Sequence, residues 1–227
     1  MKGQWNLNWR AVAVLLTASI AGVAQVNTPV SGTVVRPGAA DNSGQMTTPG
    51  NDRARSERMA SPGTVNYIEG NVTLDGDSLS GRSVGSAVVG PNQVIATGNG
   101  YAEVLLSPGA FLRIGHDSEV RMISAGLANI QLEVTHGSAM VESADPVKGS
   151  ALEVIMNGAT TQIERGGLYV FDVNGQSVRV LDGKAQVRQS AGETTLKKGD
   201  EVLLASEKPL KKRDFSVKSA ESDPLYV

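Results

Sequence analysis

Short apolar runs alternating with polar residues constrain this chain more than any other feature. Ile130, Leu132 and Val134 stand against Asn129, Gln131 and Glu133, and Leu152, Val154 and Met156 enclose Glu153 in the same rhythm. A period of two places successive side chains on opposite faces of an extended backbone, so each run predicts a strand with one buried and one wet face. Between the runs stand Asp75-Gly76, Asn99-Gly100, Asn157-Gly158, Asn174-Gly175 and Asp182-Gly183. These dipeptides tolerate the positive φ of two-residue hairpins. Helical periodicity is almost absent. The expectation is an all-β, compact, solenoid-like or sandwich-like domain of short antiparallel strands and hairpins, with YVFDVNGQSVRVLDGKAQVRQ as three strands of a meander.

One pattern recurs, with a glycine between two alternating arms: VNYIEGNVTL from Val65, LEVTHGSAMV from Leu132 and VRVLDGKAQV from Val178. Three copies suggest a reused strand-turn-strand element whose glycine sits where a Cβ would clash. The spacing is too irregular for a strict solenoid.

Four segments are expected along the chain. Residues 1–24 read as an export signal: Lys2 and Arg10 precede AVAVLLTASIAGVA, which ends in the small residues Gly22 and Ala24. That run is shorter than the roughly 20 apolar residues a membrane span needs, so removal is expected, with membrane attachment only if the segment stays uncleaved. Residues 25–62 are rich in Gly, Pro, Ser, Thr and Asn without a sustained apolar period and read as a flexible linker. Residues 63–206 form the β domain, long enough to bury about 70% of its chain surface. Residues 207–227 return to mixed charge and read as a disordered polar tail, with Lys208, Lys211, Lys212 and Arg213 solvated rather than gripping a ligand.

With no cysteine in the chain, no disulfide framework or lipid-bearing cysteine is available, so the core alone must hold the domain. Residues 63–206 carry 16 acidic and 10 basic side chains. That balance repels phosphate backbones, and nucleic acid is not expected as a partner. Both tryptophans, Trp5 and Trp9, fall in the signal, which leaves no indole platform for a sugar.

The stretch Gly115 to Val120, GHDSEV, assembles the residue types of catalysis around one of two histidines. A nucleophile, base and orienting acid must converge in space. Neighbours in an extended chain point apart, so Asp117 is not expected to orient His116, and the stretch reads as a link between two strands whose Asp and Ser bond their own backbone. His136 precedes Gly137 in the slot that Glu69 and Asp182 occupy in the other copies, which suits a polar turn residue. Two lone histidines without cysteine match no zinc spacing. Asp75-Gly76-Asp77-Ser78 resembles the opening of a calcium loop but lacks the glutamate that closes one. Gly98-Asn99-Gly100 has Glu103 where a dinucleotide fingerprint needs its third glycine. No catalytic residue, metal ligand or cofactor is expected.

The run TGNGYAEVLLSPGAFLRIGHDSEVRM, Thr97 to Met122, resembles the central motif of the FecR protein domain. LEVTHGSAMV and GLYVFDVNGQSVRVLDGKAQV are similar to its next two blocks, so the likeness spans Gly63 to Ser206. The resemblance implies an extracytoplasmic, all-β fold without catalytic residues. In well-known members this domain passes a signal from an outer-membrane receptor to a cytoplasmic segment that controls a sigma factor. Here ten residues precede the apolar run, so a FecR-like domain without that cytoplasmic segment is expected. The function that follows is an exported, non-enzymatic sensing or protein-interaction module of the cell envelope, periplasmic or secreted, whose partner is a protein or envelope component. A secreted hydrolase using His116 as base and a structural surface protein are the alternatives.

Overall fold

A computed structural model describes residues 61–204, 209–220 and 225–226. The signal over 1–24 and nearly all of the linker lie outside the described residues. The strands are β1 (Thr64–Leu74), β2 (Asp77–Ser78), β3 (Val94–Ser107), β4 (Ala110–Ile114), β5 (Ser118–Gly126), β6 (Asn129–His136) and β7 (Ser138–Ser143). They continue as β8 (Ala151–Met156), β9 (Ala159–Asp172), β10 (Ser177–Gln189), β11 (Gly192–Lys197), β12 (Asp200–Leu203) and β13 (Lys212–Asp214), followed by one helical turn, α1 (Val217–Ala220). The domain is all-β, as the alternation predicts.

Pairings run in the order β9-β7-β4-β3-β5-β6-β8 and return to β9 through its contact with β8, so seven strands close into a ring. Closure removes the free edges that an open sheet would expose. β1 and β2 are added beside β3, and β10 to β13 extend beyond β9. Most pairs are antiparallel, but β6 and β8 run parallel, Asn129 opposite Ala151 through Glu133 opposite Ile155.

Three long strands change partners midway, and in β3 and β9 the change lets the ring close. β3 pairs with β5 through Val94–Thr97 and with β4 through Ala102–Ser107. β9 pairs with β8 near its start and with β7 from Gly167 to Asp172. β10 pairs with β12 through Ser177–Arg179 and with β11 through Lys184–Gln189. The switch falls at glycines in each case: Gly98 and Gly100, Gly166 and Gly167, and Gly183. Strands pass from one wall of a β domain to the other by such bulges and bends.

The recurring glycine therefore marks a bend, which corrects the strand-turn-strand reading. Gly70 and Gly183 lie inside single strands, and Gly137 is the lone residue between β6 and β7, which do not pair with each other. All three have positive φ, at 65°, 98° and 68° respectively. The clash expectation holds, because a Cβ on Gly70 would strike the Asn99 carbonyl and one on Gly137 the Ser118 hydroxyl. Bulges next to Gly70 and Gly183 shift the register there. Asn99-Gly100 and Asp182-Gly183 are accordingly mid-strand, and the expected three-stranded meander is two strands. Asp75-Gly76 and Asn157-Gly158 do make two-residue turns, with Leu74 opposite Asp77 and Met156 opposite Ala159.

One apolar cluster fills the ring, drawing on Ile95, Leu112, Leu132, Val154, Phe171 and Val187 among others. A second, smaller cluster of Met140, Val170, Leu181 and Leu225 packs with Phe215, Val217 and Tyr226. The segment read as a polar tail thus contributes apolar side chains to the domain. Within it β13 pairs with β12, Lys212 opposite Val202 and Arg213 opposite Glu201.

Candidate functional site

GHDSEV occupies the bend between β4 and β5, where the chain crosses the Gly98–Gly100 bend of β3. The Asp117 amide donates to the Gly98 carbonyl at 2.8 Å, and the Gly115 amide to the Ser138 carbonyl at 3.0 Å. Thr97 ties the inner side: its hydroxyl donates to the Gly115 carbonyl and accepts the Ser118 amide, the latter at 3.0 Å. Buried backbone groups at such a crossing need partners, and the short polar side chains supply them.

Asp117 adopts a φ of +48°, which breaks the extended geometry assumed for this stretch. Its carboxylate consequently reaches its neighbour, with Oδ2 3.1 Å from His116 Nδ1. This corrects the expectation that Asp117 points away from His116. The pair is open to solvent, with side-chain exposures of 61% and 72%. His116 also meets the Tyr101 ring edge-on, the centroids 6.3 Å apart.

Ser118 is 2% exposed and fully engaged. Its hydroxyl donates to the His116 carbonyl at 2.9 Å and accepts the Ser138 amide at 2.9 Å. A hydroxyl bound in this way holds two strands together, and its proton is committed to a backbone carbonyl rather than to a base. The histidine, acid and hydroxyl lie close in space, yet the hydroxyl bonds backbone and not the imidazole. His136 is exposed at the end of β6, opposite Glu119. No cluster of three or more metal-ligating side chains occurs among the described residues.

Other polar groups are organised as structural pairs that alternation alone did not reveal. Glu103, 5% exposed, accepts from Asn66 and pairs with Arg113 at 3.3 Å, while Arg113 also reaches Glu142. Asp200 and Glu201 on β12 are 7% and 8% exposed. Lys212 bridges Asp200 at 3.0 Å and Arg213 bridges Glu201, which raises the Arg213 pKa. Two members of the basic cluster expected to be solvated are therefore committed to carboxylates. The signal was present as adjacent Asp-Glu and Lys-Arg pairs, but only the β12–β13 register brings them together.

Tyr169 completes the corner at the β9 and β10 bends. Its hydroxyl donates to the Arg165 carbonyl and accepts the Lys184 amide at 3.0 Å. Burial, above all, pushes its pKa up to about 12, so the phenol stays protonated in its bonding role.

These elements define a class: a closed, glycine-bent β domain with its polar groups spent on strand crossings. Residues 93–187, from β3 through most of β10, match the family model described as FecR protein. Two crystal structures of a proposed anti-sigma factor from Parabacteroides distasonis ATCC 8503, at 1.65 and 2.50 Å, align with TM-scores of 0.48 and 0.49, both at 14% identity. The alignments cover 55% and 57% of this chain and 61% and 63% of those chains, less than two thirds of their length. None of the curated proteins compared matches the chain. Among the described residues, no helix is long and apolar enough to cross a membrane.

Proposed function

We propose that this protein is an exported, non-enzymatic sensing or interaction module of the cell envelope, working through contact with a protein or envelope component. The observation that carries the reading is the FecR match over residues 93–187. Its chemistry is compatible: the one histidine–acid pair among the described residues stands on an open bend, and the adjacent Ser118 hydroxyl is bonded to backbone on both sides. A module of this kind acts by presenting surface rather than by turning over substrate. In this reading residues 1–24 direct export, residues 25–62 tether the domain, and the mature protein is periplasmic or secreted.

The test has two parts. Alkaline phosphatase fused after residue 62 should be active in cells, since that reporter needs export to fold; an inactive fusion made at normal levels would overturn the location. Photo-crosslinkers at exposed positions of the full chain, such as His116 and His136, should then trap one defined envelope component. Crosslinking that stays uniform across positions, with no discrete product, would sink the interaction role.

A further inference from the structure

We propose that the cleft at the β9–β10 bend is a binding site for a phosphate group. The cleft encloses about 480 Å³ and is lined by Arg165, Lys184, Lys197 and Lys198 together with Asp182 and the bare backbones of Gly166 and Gly183. Residues 63–206 hold only 10 basic side chains against 16 acidic ones. Four of those cations converge on one concavity of a domain whose remaining surface is acidic. A positive cleft in a negative field concentrates anions locally while the rest of the molecule turns them away.

The cations fall into two kinds. Lys184 bridges Glu164 at 2.7 Å and Lys198 lies 3.6 Å from Asp182, both pairs being solvent-accessible and easily exchanged. Arg165 and Lys197 form no ion pair among the described residues. The planar guanidinium of Arg165 can grip two oxygens of one tetrahedral anion, and the lysines supply point charges around it. Gly166 and Gly183 line the floor of the cleft with backbone alone, because a Cβ at either would collide with the Ala144–Asp145 backbone or the Tyr169 hydroxyl.

The floor is also rigid. Tyr169 joins the Arg165 carbonyl to the Lys184 amide, so the backbones that carry two of the four cations are held at a set spacing. Asp145 further fixes the bend by accepting the Gly166 amide at 2.7 Å. Anchored backbones beneath Arg165 and Lys184 leave only side-chain freedom to be lost when a ligand binds. The volume exceeds that of a bare phosphate, which leaves room for the group to which the phosphate is esterified. Free phosphates and the headgroups of anionic lipids share this chemistry.

Titration calorimetry of the full chain at low salt, with inorganic phosphate and pyrophosphate, tests the free ligands. Flotation with vesicles of phosphatidylglycerol against phosphatidylcholine tests the headgroup. Saturable binding to either phosphate-bearing probe, weakened at least about tenfold in Arg165→Gln/Lys197→Gln and unchanged in Lys148→Gln, is the expected result; which probe binds identifies the source. Absence of binding to all the phosphate-bearing probes, or equal binding by the double variant, overturns the proposal. Both substituted side chains are exposed, so an unchanged thermal transition verifies that the variant is folded.

Discussion

Gly183 lies against the Tyr169 hydroxyl so closely that a Cβ built on the glycine would overlap the phenol oxygen, far inside carbon–oxygen contact distance. The two residues define one corner, at which β10 bends through a φ of +98° and the tyrosine holds β9 beside it. Gly183→Ala should therefore combine backbone strain with steric displacement of the tyrosine, and cost about 3 kcal/mol or more. Gly76 has a similar φ of +90° but nothing within 4 Å of its would-be Cβ, so Gly76→Ala should cost only about 1 kcal/mol. Urea denaturation of the two variants measures the difference. Equal losses would show that the corner contact adds nothing beyond backbone strain.

Tyr169→Phe leaves the Lys184 amide and the Arg165 carbonyl without their shared partner in a buried setting. A loss of about 1–3 kcal/mol is expected. The wild-type protein should also carry a pH dependence that the variant lacks. Burial pushes the folded phenol's pKa up to about 12, above its ordinary 10.0, so the native state holds its proton longer than the unfolded chain. Its contribution is present in full below pH 10, and falls as pH rises toward 12, by about 2 kcal/mol in total. Stability compared between wild type and variant across that window isolates the tyrosine from other basic groups that titrate there.

Ser118 and His116 should respond unequally to truncation. Ser118→Ala removes the hydroxyl joining the His116 carbonyl to the Ser138 amide, and should destabilise by about 1–3 kcal/mol. His116→Ala, at a side chain 61% exposed, should stay within about 0.5 kcal/mol of wild type. Thermal unfolding of both proteins checks this. A stable Ser118→Ala together with a destabilised His116→Ala would reverse the roles given to the two side chains.

Leu225 is 4% exposed in the cluster with Met140, Val170 and Leu181. Leu225→Ala should cost about 2 kcal/mol, at the lower end for a buried leucine because the cluster is small. Leu127, 63% exposed, provides the comparison, and its alanine variant should be nearly neutral. If the chain's last residues contributed nothing to the fold, both variants would unfold with wild-type midpoints.

The period-two alternation of β6 and β8 was legible because burial on one face leaves a local trace: Leu132 and Val134 are buried while Gln131 and Glu133 are not. Asp75-Gly76, Asn157-Gly158 and Asn174-Gly175 were legible as turns for the same local reason. Asn99-Gly100 and Asp182-Gly183 were misread because positive φ serves a hairpin and a bulge equally well. What separates the two is the partner strand, and for Gly183 that partner includes Tyr169, fourteen positions earlier in the chain.

Composition and alternation determined by themselves that the domain is all-β and that its core must hold it without disulfides. The alternating runs on either side of GHDSEV likewise marked it as a link between strands. Tertiary structure alone decided that the sheet closes through β8 and β9, that β6 and β8 run parallel, and that Lys212 and Arg213 cover Asp200 and Glu201. It also decided that Asp117 turns back onto His116 and that four scattered cations share one cleft. Burial periodicity is a property of each strand and is written in neighbouring residues. Strand order, bends and charge pairing depend on which distant segments meet, and no run of neighbours records that.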